Sequence, residues 1–194
     1  MNLGKLDNIY LGPMFSGKTS ALIRYLTINA DIGFKVLYIN SSLDDRSEED
    51  FSTHNSSNKG ISNKITTLKT GYLKEVAIDK YDVIGIDEFQ FYKDEKPSEI
   101  VRKWVLNGKR VSISSLDGDF NMRPFGDVFN LIPLCEAGGL FKMKEGICLE
   151  CLKDNKFVTG SFTKKTKITK DEEVIEIGGK DKYKIVCLEC HQKN

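Results

Sequence analysis

Three groups of residues in this sequence have the types and spacing to do chemistry. Gly12-Pro13-Met14-Phe15-Ser16-Gly17-Lys18-Thr19 fits G-x-x-x-x-G-K-[ST], a loop whose backbone N–H groups can curl around a polyphosphate. Lys18 would reach the outer phosphates of a nucleotide such as ATP, and the Thr19 hydroxyl would face Mg²⁺. The second group is Asp87-Glu88, directly after the apolar run Tyr81 to Ile86. In a phosphate-loop protein an acid at the end of such a strand holds the Mg²⁺ that bridges the phosphates, which makes Asp87 the metal candidate. Glu88 would project toward the γ-phosphate, to take the proton of an attacking hydroxyl or to position a water.

The third group is four thiols in two pairs, Cys148-x-x-Cys151 and Cys187-x-x-Cys190. Their number and pairing suit a closed tetrahedral structural Zn²⁺ site rather than an open catalytic one. His191 competes with Cys190 for the fourth place, and a redox dithiol is the alternative use of such pairs. Cys135 lies in the apolar stretch Leu131 to Cys135 and reads as a packed small hydrophobe.

These groups need elements to position them. Leu6 to Leu11 reads as a buried strand, Ser20 to Ala30 carries Leu22, Ile23, Leu26 and Ala30 at helical spacing, and Gly33 stops the helix. Lys35 to Asn40 is a second strand, so the chain opens with a βαβ unit and a parallel sheet. Tyr81 to Ile86, Ser98 to Leu106 and Lys109 to Leu116 continue the alternation as strand, helix and strand. Ser41 to Asn63 is polar and aperiodic and reads as a long loop. Past Pro124 the pattern changes to short β-like runs and the cysteine pairs. The expected organisation is therefore α/β: a phosphate-loop parallel-sheet domain over residues 1–143, then a small zinc-binding domain over 144–194 with a long lasso-like loop.

Composition sets outer bounds. With 194 residues, 29 basic and 28 acidic side chains and a net charge of +1, nothing signals a nucleic-acid track or an anionic membrane surface. No run of residues is apolar enough to span a bilayer, and Met1 to Asp7 lacks the apolar region of a signal peptide. The expectation is a cytoplasmic protein with neither nucleic-acid nor membrane partners.

Read in order, the motifs carry a resemblance. GPMFSGKT (Gly12 to Thr19), Asp44-Asp45-Arg46 with Phe51 and Thr53-His54, IDEFQFY (Ile86 to Tyr92), LDGDF (Leu116 to Phe120), RPFG (Arg123 to Gly126), NLIPL (Asn130 to Leu134) and IGGKDKY (Ile177 to Tyr183) are similar to those of the type II thymidine kinases. The resemblance runs nearly end to end. It implies phosphoryl transfer from ATP to thymidine, with Mg²⁺, a structural Zn²⁺, a homotetrameric assembly and feedback binding of dTTP.

The resemblance also implies roles by residue. Glu88 would be the general base toward the nucleoside 5′-hydroxyl, with Gln90 beside Asp87 and Glu88. Asp44, Asp45 and Arg46 would lie at the nucleotide and metal side. Leu116, Phe120 and Phe125 would wall the thymine pocket, with Phe91 nearby. Val174, Ile175, Glu176, Ile177 and Gly178, with Tyr183, would lie over the base and sugar. A family threonine near the base maps to Thr163 or, less well, to Thr159. Glu176 departs from the family, where the position is commonly apolar, and the spacing after Cys151 is longer by several residues.

Two rival readings from other classes stand beside it. A helicase-like ATPase fragment would also carry a phosphate loop and an Asp-Glu-x-Gln strand end, but such motors need tandem domains and a basic track. A non-catalytic zinc-ribbon adaptor that binds nucleotide is the other.

Overall fold

The computed structural model describes residues 4–43, 64–135, 140–143, 146–166 and 182–193. β1 (Lys5–Leu11) leads through the phosphate loop into α1 (Lys18–Asp31), and β2 (Val36–Ser41) follows. Next come β3 (Ile65–Thr70), β4 (Val83–Ile86), α2 (Pro97–Leu106), β5 (Arg110–Ser115) and β6 (Leu140–Met143). The remainder is built from smaller pieces: β7 (Gly146–Ile147), α3 (Leu149–Lys153), β8 (Thr159–Gly160), β9 (Phe162–Lys165), β10 (Tyr183–Val186) and α4 (Leu188–Gln192).

β1 to β6 form one sheet in the order β3-β2-β4-β5-β1-β6, and each neighbouring pair runs parallel. A parallel sheet must be covered on both faces, so its strands carry apolar residues in both directions. Leu37, Ile39, Ile84, Ile86, Val111 and Ile113 face one way, into a core shared with Val101, Trp104 and Val105 of α2. Val36, Tyr38 and Val83 face the other way, against Leu22, Ile23, Leu26 and Ala30 of α1. The period of two along the strands and the helical spacing in α1 produce this division.

α1 starts at Lys18, two residues before the span expected from periodicity, with Gly17 as its N-cap at φ 80°. It ends in a Schellman arrangement. The Phe34 N–H donates to the Asn29 carbonyl at 3.1 Å and the Gly33 N–H to that of Ala30 at 3.2 Å, with Gly33 at φ 101° where a side chain would be strained. At the amino end of the strands Arg110 grips the Asp7 carboxylate through two nitrogens at 2.8 and 2.9 Å, and Tyr25 donates to the same acid at 2.7 Å.

Two strands of the sheet were not anticipated from the sequence, β3 and β6. β3 occupies one edge, where only Ile65 is buried. β6 pairs with the far side of β1. Beyond it β7 pairs antiparallel with β8, and β9 with β10. The long-loop segment 44–63 and the lasso segment 167–181 lie outside the described residues. Cys135 is half-buried against the core, and burial pushes its thiol up, in line with the packed role expected of it. Among the described residues no helix is long and apolar enough to cross a membrane.

Candidate active site and metal centre

All strands of a parallel sheet end on one edge, and that is where the chemistry-bearing residues gather. β1 ends at Leu11, one residue before the phosphate loop, β4 ends one residue before Asp87, and β5 ends one residue before Leu116. The loop turns through Phe15 at φ 61° and Gly17 at φ 80°, both in the left-handed region. Ser16 donates to the Pro13 carbonyl at 2.9 Å, and the buried Lys18 ammonium donates to the same oxygen at 2.6 Å.

Thr19 and Asp87, 68 residues apart in sequence, meet directly: the threonine hydroxyl donates to Asp87 Oδ1 at 3.2 Å. The Glu88 N–H donates to the same oxygen at 3.0 Å, and Ser114 donates to it as well. Oδ2 accepts from the Tyr38 hydroxyl at 2.8 Å. Burial, followed by the charge of Glu88, pushes the Asp87 carboxyl up to about 6, against the pull of the Ser114, Tyr38 and Thr19 hydroxyls. A hydroxyl and a carboxylate side by side at a helix N-terminus form a hard-oxygen donor set, the kind that suits Mg²⁺ bound together with phosphate oxygens. Thr19 and Asp87 therefore fit that ion.

Glu88 stands in the left-handed region at φ 50°, ψ 47°, which is uncommon for a residue with a side chain and frequent at functional sites. Its carboxylate accepts from Gln90 Nε2 at 2.5 Å. Gln90 is itself fixed, because its Oε1 accepts from the Ser115 hydroxyl and the Leu116 N–H, both at 3.0 Å. The strained residue is thus tied to the end of β5.

On the other side of the loop, Met14, Leu116 and Tyr183 form a small buried cluster, with Phe15, Phe120 and Phe125 packed against it. Phe91 meets Phe125 edge-on with ring centroids 5.8 Å apart. Thr163, buried on β9, accepts the Met14 N–H at 3.2 Å, so the cysteine-bearing part of the chain reaches the phosphate loop. Phe120 is held from the same side: the Lys165 ammonium lies 4.5 Å from its ring centroid, and His191 Nε2 donates to its carbonyl at 2.9 Å.

The sulfurs of Cys148, Cys151, Cys187 and Cys190 all lie within 4.8 Å of one another. Each pair opens a short helix, Cys148 at the N-cap of α3 and Cys187 at the N-cap of α4, with the second cysteine in the first turn. Burial raises the Cys148 thiol, but the N–H groups of Cys151 and Cys187 outweigh it and leave it lowered to about 6. Cys151, hydrogen-bonded to the sulfurs of Cys190 and Cys148, is pushed up to about 12. Four sulfurs this close cannot all be thiolates without a cation between them, and a soft tetrahedral donor set fits Zn²⁺. His191, considered as a rival ligand, has its Nε2 on Phe120 instead.

Asp44, Asp45, Arg46, Val174, Ile175, Glu176, Ile177 and Gly178 lie outside the described residues. Tyr38, Ser114 and Ser115 were not singled out from the sequence, since each lies within a run read only as a buried strand. Asp117 was quoted only within a motif. Burial drives its carboxyl up, against its own backbone N–H, the charge of Lys18 and the N–H of Gly118.

A parallel sheet with a phosphate loop after one strand, tied to an acidic pair after another, defines a phosphate-loop nucleotide-binding protein built for phosphoryl transfer. The family described as thymidine kinase matches residues 5–191. The thymidine kinase of sheeppox virus (strain KS-1) is 35% identical over 187 residues, 95% of each chain. That of monkeypox virus is 36% identical over 193 residues, 98% of each chain. The cytosolic thymidine kinase of Homo sapiens is 36% identical over 187 residues, covering 95% of this chain and 72% of the human one. The chain belongs to the thymidine kinase family.

Proposed function

We propose that the protein transfers the γ-phosphoryl group of ATP to the 5′-hydroxyl of thymidine, giving dTMP and ADP, with Glu88 as general base. The observation that carries this reading is the placement of Glu88: held by Gln90, it follows Asp87, and Asp87 is tied to Thr19 of the phosphate loop. In the reaction Glu88 takes the proton of the 5′-hydroxyl. The freed oxygen bonds to the γ-phosphorus, the bond from that phosphorus to the β,γ-bridging oxygen breaks, and ADP leaves with its electron pair. Such transfers depend on positioning and charge neutralisation around a loose transition state. Backbone N–H groups from Phe15 to Thr19 and the Lys18 ammonium would hold the phosphates. Mg²⁺, when bound, neutralises charge on the phosphate oxygens, and Thr19 and Asp87 would hold it, with Asp44, Asp45 and Arg46 at the same side.

The nucleoside would lie against Leu116, Phe120, Phe125 and Phe91, beside Thr163 and Tyr183, under backbone from Val174 to Gly178. This is supported by the packing of these aromatics around Met14 of the phosphate loop. Structural Zn²⁺ on the four cysteines would join the ends of the 144–194 domain, leaving 1–143 as the nucleotide domain. Feedback binding of dTTP and homotetrameric assembly, implied by the family resemblance of the motifs, complete the reading, and a cytoplasmic location is supported by likeness to a relative named as cytosolic. The helicase-fragment and adaptor readings are not favoured by the family match.

The test is a nucleoside panel with γ-labelled ATP, run with and without single-stranded DNA. Labelled dTMP from thymidine is expected, and no stimulation of ATP turnover by DNA. ATP hydrolysis that rises with DNA, without phosphorylated nucleoside, overturns the reading.

A further inference from the structure

Asp87 is 1% exposed, and both of its carboxylate oxygens are engaged. Two of its four donors are local to the loop-and-strand arrangement: the Thr19 hydroxyl and the N–H of Glu88, the next residue. The other two come from the strands flanking β4. Tyr38 on β2 donates to Oδ2 at 2.8 Å, and Ser114 on β5 donates to Oδ1. The register explains why they meet. Ile39 on β2 and Ile113 on β5 both stand opposite Ile86, so Asp87, the first residue past β4, lies between two strands that each continue two residues beyond that register. Tyr38 is wholly buried among the residues facing α1, and nothing about its strand requires a hydroxyl there.

We propose that Tyr38 and Ser114 are positioning residues for the metal-holding carboxylate, gripping Asp87 from the strand on either side so that its plane and rotamer are set before nucleotide and metal arrive. With hydroxyls on both oxygens, rotation about the Asp87 side chain breaks at least two hydrogen bonds. Partners that orient a metal ligand typically alter metal affinity roughly 10–100-fold when removed. Neither residue touches the reacting atoms, so each acts through Asp87. The inference rests on the reading of Asp87 as the acid that holds the metal.

The experiment titrates Mn²⁺ as probe into the full chain with ADP, following free Mn²⁺ by electron paramagnetic resonance. The variants are Tyr38→Phe, Ser114→Ala, Asp87→Asn and Tyr25→Phe. The last removes a tyrosine hydroxyl from the Asp7 pairing at the other end of the sheet and serves as the control. Tyr38→Phe and Ser114→Ala are expected to raise the Mn²⁺ Kd at least about tenfold. Metal-free ADP binding should stay within twofold, and Tyr25→Phe should leave the Mn²⁺ Kd unchanged. A Kd within twofold of wild type in both hydroxyl variants, with Asp87→Asn impaired, overturns the inference alone. Normal Mn²⁺ binding by Asp87→Asn overturns the reading of Asp87 beneath it. If Tyr38→Phe fails to fold, Ser114→Ala decides on the same criterion. Parallel loss of metal-free ADP binding and metal binding assigns the hydroxyls a purely structural role, and also overturns the inference.

Discussion

The Met14 N–H donates to the Thr163 hydroxyl oxygen at 3.2 Å, across 149 residues of sequence. Met14 belongs to the loop that would cradle phosphate, and Thr163 to the hairpin of β9 and β10. Both residues are buried, so the amide has no water to fall back on. Thr163→Val keeps the shape and removes the acceptor. Leaving a buried donor unpaired costs about 1–3 kcal/mol. The urea midpoint should fall accordingly in Thr163→Val and be largely restored in Thr163→Ser. Equal midpoints for valine and threonine would show that the amide finds another partner.

Glu88→Gln should nearly abolish transfer to thymidine while leaving ATP affinity close to wild type. The substitution keeps the size and the left-handed backbone but removes the proton acceptor. A positioned base of this kind contributes about 10²–10⁴ in rate. Single-turnover rates measured beside ATP calorimetry separate the two effects. More than about half of the wild-type rate would rule Glu88 out as the base.

Cys151→Ser should lower the zinc content read by atomic emission and weaken thymidine binding far more than ATP binding. The four cysteines bracket β8, β9 and β10, and β9 and β10 carry Thr163 and Tyr183 to the phosphate loop. A metal that closes such a span supplies order that the short strands cannot supply alone. Normal thymidine affinity in the zinc-depleted variant would reduce the cysteines to a local role.

Tyr92→Phe is expected to stabilise the protein. The ring is buried, and its hydroxyl has no hydrogen-bond partner among the described residues. An unsatisfied buried hydroxyl costs about 1–3 kcal/mol, and phenylalanine removes it without changing the packing. Thermal denaturation should show a raised Tm. A lowered Tm would mean that the hydroxyl is satisfied in solution.

The sequence was most readable where one force dominates. β1, β2 and β4 are largely apolar because both faces of a parallel sheet are covered, β5 alternates Val111 and Ile113 with buried serines, and α1 and α2 repeat at helical spacing against them. β3 escaped notice because an edge strand buries little: in ITTLKT only Ile65 is enclosed, and a run of threonines with a lysine reads equally well as loop. The phosphate loop, the acidic pair and the cysteine pairs were visible because each is contiguous or regularly spaced. What surrounds them was not. Gln90 reaches Ser115 and Leu116, and Asp87 gathers hydroxyls from β2 and β5. Such pairings depend on which distant strands become neighbours, here β2, β4 and β5, and a pattern read within one segment does not give that order.

The strand order also constrains when the site can come into being during synthesis. β1 and β4 are not neighbours, since β5 lies between them. The loop after β1 therefore faces the acid after β4 only once the chain beyond Ser115 has been made and threaded into the middle of the sheet. Pairings of such long sequence separation close slowly and late. A nascent chain carrying an intact GPMFSGKT would have no formed nucleotide cradle, so ATP can reward only the nearly finished fold and cannot draw out an early intermediate. Truncations ending before β5 should accordingly depend on chaperones, and added nucleotide should not rescue them.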